Sequence, residues 1–234
     1  MKLKAVFIDI DNTLLDFDAY VRHTMEMGFA HFGLRAYEPW MYGIFTEENN
    51  LLWGRIEQGT LTLPELEKVR WNIIFDRLGI RFDGTVFEDY FRRQLNDSAI
   101  PVPGSLELLQ TLAQTYTLCA ASNGPYDQQV RRMTLAGMDR YIRHWFISEQ
   151  IGCAKPAAAF FQYALRELKL PPEACVMIGD SLSSDIAGGI GSGMHTCWYR
   201  RDPGRVPDPC PELIADELSE IPVLLQKLQA AESR

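Results

Sequence analysis

The 234-residue chain contains no Cys-x-x-Cys pair, and its five cysteines, Cys119, Cys153, Cys175, Cys197 and Cys210, are odd in number. Neither a disulfide framework nor a paired-cysteine zinc or redox site is supported. Cys119, Cys175 and Cys197 fall in apolar runs, where a free thiol behaves as a small hydrophobe, and a reducing compartment is expected. The four histidines, His23, His31, His144 and His195, show no metal-ligand spacing. No apolar run approaches the ~20 residues of a membrane-spanning helix. The apolar part of MKLKAVFIDID is too short for a signal peptide, so a cytoplasmic location and no membrane partner are expected. Positive charge is in deficit, with 23 Lys and Arg against 31 Asp and Glu and a net charge of −8, which argues against a nucleic-acid polymer as partner. Repeats and low-complexity tracts are absent, and nothing in the sequence speaks to oligomeric state.

What is present is a globular composition, 47% hydrophobic and 23% charged, in a chain long enough for one domain or one domain plus an insert. Texture divides it. Lys4 to Ile8 is a short apolar, β-rich run. Residues 17–98 are rich in aromatics and charges at helical spacing, with no convincing strand. Within them Thr62 reads as a helix N-cap, with Pro64 in the first turn, Glu65 three residues after the cap and Gly79 as the stop. At Ile100-Pro101-Val102-Pro103-Gly104 the texture changes. Short apolar strands (Tyr116–Ala121, Trp145–Ile147, Ala174–Ile178, His195–Tyr199) then alternate with helices (Ser105–Gln114, Asp127–Gly137, Ala157–Leu168, Asp185–Gly191, Leu218–Ala231). Such alternation means βαβ units and a parallel sheet. The expected architecture is an α/β core from residues 1–16 and 99–234, with a helical insert at 17–98.

Ligands of open parallel sheets bind outside the carboxyl ends of the strands, so the residues following each strand matter most. Asp9-Ile10-Asp11-Asn12-Thr13 follows the first strand. Ser122-Asn123-Gly124 follows Tyr116–Ala121, and Gly179-Asp180-Ser181, with Asp185 shortly beyond, follows Ala174–Ile178. Lys155 stands at a helix entrance. Should these strands be neighbours, several acids, a hydroxyl and a lysine would converge. Carboxylates so close repel one another, and oxygen ligands from two or three aspartates plus water suit Mg²⁺. The ion, Lys155, and Ser122 with its neighbouring backbone N–H groups would together attract a phosphate, by the positioning and electrostatics that dominate phosphoryl transfer. One aspartate could then attack phosphorus and a second move protons. Singly, each residue has a plainer explanation. Asp9 or Asp11 fits a turn, Asp180 and Ser122 fit helix caps, and Asp185 and Lys155 fit solvated positions.

Taken in order, Asp9-Ile10-Asp11-Asn12-Thr13, Ser122, Lys155 in AKPAAAFF, and GDSLSSD from Gly179 to Asp185 resemble the four motifs of the haloacid dehalogenase-like (HAD) phosphohydrolase superfamily. The resemblance implies a Rossmann-like parallel sheet with an inserted all-helical cap domain that closes over the site and selects the substrate. It implies Asp9 as nucleophile, Asp11 as general acid/base, and Ser122, Asn123 and Lys155 as phosphate-binding. For Mg²⁺ it implies Asp9, Asp11 through its backbone carbonyl, Asp180 and Asp185. Within that family an acid at position 11 marks phosphatases and not dehalogenases. LLDFDAY, LLWGRIEQGTLTLPEL, FISEQIGCAKP and SDIAGGIGSGMHTCWYRR further resemble the pyrimidine 5′-nucleotidase subfamily, which implies a small-molecule phosphate ester, a nucleoside monophosphate, as substrate. A sugar phosphatase or phosphomutase on the same core remains open, as does a phospho-accepting signalling module. Aromatics of the insert read mainly as core, with Phe17 the best candidate to stack on a base.

Overall fold

The computed structural model describes residues 2–232. Met1, Ser233 and Arg234, which fall within the expected core boundaries, lie outside them. β1 (Ala5–Ile8) is followed by α1 (Phe17–His31), α2 (Met41–Glu57), α3 (Leu63–Leu78) and α4 (Gly84–Asn96). The chain continues through α5 (Ser105–Leu112), β2 (Thr117–Ser122), α6 (Tyr126–Leu135), β3 (His144–Ile147), α7 (Ser148–Ile151) and α8 (Ala158–Leu168). It ends with β4 (Cys175–Gly179), α9 (Ala187–Gly191), β5 (His195–Tyr199), β6 (Leu213–Ala215) and α10 (Ile221–Glu232). Two compact units result, residues 1–16 with 99–234, and residues 17–98.

All six strands of the first unit are parallel, in the order β3-β2-β1-β4-β5-β6. β1 is central because AVFI is apolar throughout and both faces of such a strand can be covered. Its side chains alternate between two cores. Val6 and Ile8 pack with Leu108, Leu109, Met133, Ile221 and Leu225 from helices on one face. Ala5 and Phe7 pack with Phe160, Phe161 and Ala164 on the other. Ile8 registers with Ala120 of β2 and Ile178 of β4, so the carboxyl ends of these three strands lie side by side. The strand order reverses between β1 and β4, which is where an open parallel sheet forms its ligand crevice.

Five strands and their helices match the sequence expectation within a few residues. The sixth, β6, went unforeseen. The expected helix at Asp185–Gly191 is a π-helical turn, Leu182–Ile186, running into α9. After β1 the chain turns sharply on Asn12, held at φ 62°, a left-handed conformation that asparagine tolerates better than most residues. The N–H groups of Leu14 and Leu15 both donate to the Ile10 carbonyl at 2.9 Å. Asp16 N–H to Ile100 O (2.7 Å) and Val102 N–H to Leu14 O (2.9 Å) then pin the two chain segments that leave and re-enter this unit.

The second unit is helical throughout its described residues outside the connecting turns, around an aromatic core of Tyr20, Phe29, Phe45, Trp71, Phe75, Phe87 and Phe91. α3 begins as its sequence suggests. The Thr62 N–H and hydroxyl both donate to the Glu65 carboxylate, at 2.8 and 2.7 Å, and Gly79 closes the helix at φ 66°. Phe17 is partly buried against Tyr20, Phe45 and Phe91, so its ring belongs to this core. Arg70 is buried as well. It donates to both oxygens of Glu88, from Nε at 3.0 Å and Nη2 at 2.5 Å, and to Asn49 Oδ1 at 3.1 Å. No helix of the described residues is long and apolar enough to cross a membrane.

Candidate active site

At the carboxyl edge of the sheet, β1 delivers Asp9. Its N–H extends the ladder by donating to Ile178 O of β4 at 2.9 Å. β4 delivers Asp180, whose backbone carbonyl accepts from the Trp198 indole on β5 at 2.8 Å. The π turn aims Asp185 back across the end of β4, where its Oδ2 accepts from Ser181 N at 3.1 Å. Single π turns recur at functional sites, and here the wider turn brings a carboxylate against the backbone. Gly179 is what makes the approach possible, since a Cβ there would lie 2.1 Å from Asp185 Oδ2.

Lys155 ties the group together. Its ammonium donates to Asp9 Oδ1 at 2.7 Å, Asp185 Oδ1 at 2.6 Å and the Ala121 carbonyl at 2.6 Å. All three of its protons are therefore engaged, and Lys155 could meet a phosphate oxygen only by releasing one acceptor. Asp185 and Lys155 are almost completely buried and Asp9 nearly so. Burial alone would depress the Lys155 pKa, but the Asp185 and Asp9 carboxylates outweigh it and hold the ammonium above its ordinary value. Asp9 moves upward too. Burial is the main cause, and the Asp185 and Asp11 charges add to it against the pull of Lys155. With Asp180 beside Asp9 and Asp185, one buried cation, Lys155, is set against three carboxylates, so the cluster carries excess negative charge.

That excess is the test of fit for a divalent cation. Asp9, Asp180 and Asp185 offer carboxylate oxygens that all lie within 4.8 Å of one another. Octahedral Mg²⁺, with hard oxygen ligands near 2 Å, sets those ligands roughly 3–4 Å apart. Donor type, spacing and charge all suit it. The Asp11 side chain is not one of these donors.

The phosphate-binding candidates divide. The Ser122 hydroxyl, at the end of β2, accepts from Gly124 N at 3.1 Å and from Gln129 Nε2 at 2.8 Å. The Asn123 side chain instead clamps the Lys155 backbone, with Nδ2 donating to Lys155 O at 3.0 Å and Oδ1 accepting from Lys155 N at 2.9 Å. Any contact of Asn123 with an anion would then come through its backbone. Sequence reasoning overlooked Gln129 and Arg132 on α6. Arg132 Nη1 lies 2.6 Å from Asp11 Oδ1 and Gln129 Nε2 lies 2.7 Å from Asp11 Oδ2. The available signal was their spacing, one helical turn apart and just past Ser122-Asn123-Gly124.

Residues 3–193 match the family model of haloacid dehalogenase-like hydrolases. Pyrimidine 5′-nucleotidase PynA of Streptococcus pneumoniae is 32% identical over 206 residues, 85% of this chain and 84% of that protein. Pyrimidine 5′-nucleotidase YjjG of Escherichia coli is 28% identical over 232 residues, 97% of this chain and all of that one. YfnB of Bacillus subtilis is 28% identical over 222 residues, 94% of each chain. Its crystal structure, bound to magnesium, superposes with a TM-score of 0.89 over 97% of this chain and 100% of that chain.

Proposed function

The chain belongs to the haloacid dehalogenase-like hydrolase family, and on that footing we propose that it is a Mg²⁺-dependent phosphatase acting on nucleoside monophosphates as a 5′-nucleotidase. One observation carries the reading: Asp9, Asp180, Asp185 and Lys155 converge at the ends of adjacent parallel strands, with net negative charge left over. The Asp9, Asp180 and Asp185 carboxylates, with the backbone carbonyl of Asp11, would hold the cation. When bound, it supplies charge neutralisation for the transferring phosphoryl group.

An Asp9 oxygen attacks phosphorus while the bond from phosphorus to the ester oxygen breaks. Asp11 gives its proton to the departing oxygen, so the alcohol leaves neutral. Water then attacks phosphorus and passes a proton to Asp11, the bond between Asp9 and phosphorus breaks, and inorganic phosphate leaves. Lys155 offsets the charge of Asp9 and Asp185, and the Ser122 hydroxyl orients the phosphoryl group. Residues 17–98 are assigned as the cap that selects the substrate. The nucleotidase part of the reading is supported by the two relatives named for that activity, each matched over more than four-fifths of its length. A cytoplasmic setting is supported by the five cysteines, all of them free, as a reducing compartment would keep them.

A panel of nucleotides, sugar phosphates and short organic phosphate esters, with Mg²⁺ and with excess chelator, tests this reading. Pyrimidine nucleoside monophosphates should rank first and chelator should abolish turnover. Pyrimidine nucleotides at the bottom of the ranking would remove the nucleotidase assignment, and full rates in chelator would remove the metal.

A further inference from the structure

We propose that Gln129 and Arg132 are positioning residues that hold the Asp11 carboxylate in its reacting orientation. The inference rests on the reading of Asp11 as the acid/base of a phosphatase. Asp11 needs such support. It sits on a loop that turns at Asn12, and its side chain is 33% exposed, so its own torsions would leave it several orientations. Two side chains from α6 remove that freedom, each taking a different oxygen. Arg132 Nη1 donates to Oδ1 at 2.6 Å and Gln129 Nε2 to Oδ2 at 2.7 Å. They also brace each other, with Arg132 Nη1 donating to Gln129 Oε1 at 3.0 Å.

Burial separates this arrangement from an ordinary surface ion pair. Gln129 and Arg132 are each 1% exposed. A buried guanidinium is unfavourable unless paired and hydrogen-bonded, and the carboxylate it meets here is the partly exposed Asp11. The immobile partners lie inside and the accessible one faces outward, as preorganisation of a reacting group requires. Gln129 Nε2 also donates to Ser122 Oγ at 2.8 Å, which couples the proton-transfer residue to a phosphate-binding candidate through one amide. Gly124 leaves the space for it, since a Cβ there would lie 2.5 Å from Gln129 Nε2. Gln129 meets both Asp11 and Ser122 and Arg132 meets Asp11, so the role assigned to both runs through those residues.

This role predicts which half of the reaction suffers. p-Nitrophenolate leaves with little need of a proton, so transfer of the phosphoryl group to Asp9 tolerates a misplaced Asp11. The second half, in which water adds to phosphorus, gives its proton to Asp11 and frees the Asp9 carboxylate, does not. Gln129→Leu, Arg132→Met and Arg132→Lys are made in the full chain and assayed with p-nitrophenyl phosphate and Mg²⁺, following both the pre-steady-state release of p-nitrophenolate and acid-trapped phosphoenzyme. We expect kcat to fall about 10²-fold for Gln129→Leu and Arg132→Met. A burst should approach one p-nitrophenolate per enzyme, phosphoenzyme should accumulate, and Arg132→Lys should recover part of the rate. A kcat within about twofold of the parent, or a loss of kcat without phosphoenzyme accumulation, overturns the proposal. So does circular dichroism showing that neither Gln129→Leu nor Arg132→Met folds, because the pair would then be structural. The parent protein is the control: if it neither hydrolyses p-nitrophenyl phosphate nor forms phosphoenzyme, the phosphatase reading itself fails and this one with it.

Discussion

Two of the buried charge clusters among the described residues are built on opposite terms. In the helical unit, Arg70 meets Glu88 with two hydrogen bonds and Asn49 with a third, while its guanidinium lies 4.8 Å over the Phe91 ring. One cation faces one anion and the pair is closed. At the edge of the sheet, Lys155 faces Asp9 and Asp185 with Asp180 alongside, and the charges do not sum to zero. A balanced buried pair joins helices. An unbalanced one, built on β1, β4 and a π turn, has the charge and donor set that suit a divalent cation. Burial of ionised groups does not by itself mark function; an uncompensated remainder points toward a ligand of opposite charge.

The comparison can be broken by equalising the charge in one cluster or unbalancing it in the other. The largest effect is expected from Asp9→Asn, which removes the attacking oxygen and one unit of excess charge together. Turnover should fall by on the order of 10⁴ or more while circular dichroism stays that of the parent. Steady-state hydrolysis by the folded variant would take Asp9 out of the nucleophile role. Next comes Arg70→Met, which strands the buried Glu88 and should lower unfolding free energy by about 3–5 kcal/mol in urea. Adding Glu88→Leu should restore most of that, and a double variant as unstable as the single would contradict the view of a closed, replaceable pair.

A subtler difference lies in the response to Mg²⁺. Burial pushes the Asp9 carboxyl up to about 7. The folded state therefore binds more protons than the unfolded one between the ordinary carboxylate range and about pH 7. The sign follows from linkage: this contribution to stability is complete below that range and is lost as pH rises through about 7. The raised Lys155 pKa contributes a constant amount across the same interval. A cation among the carboxylates would offset the loss. Saturating Mg²⁺ should therefore raise the melting temperature more at pH 8 than at pH 5, corresponding to about 2–3 kcal/mol at a hundredfold excess over Kd. An equal shift at both pH values would mean that the ion binds elsewhere. The smallest effect is expected at the surface, where Thr62→Ala removes a cap from α3 and should lower the melting temperature by less than any change in either buried cluster.

Much of the sheet-edge site was legible in the chain because its parts are local. Asp9 and Asp180 each terminate an unbroken apolar run, and a strand that ends in an acid is visible without coordinates. The parallel core was legible for the same reason. β6 was not, because Leu213–Ala215 is three residues long and follows a proline-rich loop, leaving no period to detect. The π turn escaped because residues 182–191 carry helical composition and only the backbone hydrogen bonds distinguish the widened turn. Gln129 and Arg132 were passed over in α6, since nothing local says that a carboxylate from residue 11 meets them. Arg70 and Glu88 were hidden likewise. Each is an ordinary charge on an amphipathic helix until α3 and α4 pack and close eighteen residues of sequence into one ion pair. Pairing between distant segments is the information that local pattern lacks.

The central claim is that the charge-unbalanced cluster transfers a phosphoryl group through Asp9, and mass spectrometry tests it most directly. The parent protein, mixed with p-nitrophenyl phosphate and Mg²⁺, is quenched in acid within a single turnover and digested. The account predicts one added phosphoryl group on the peptide that contains Asp9, absent when chelator replaces Mg²⁺. Turnover with that peptide unmodified, or with the group on another residue, would contradict it.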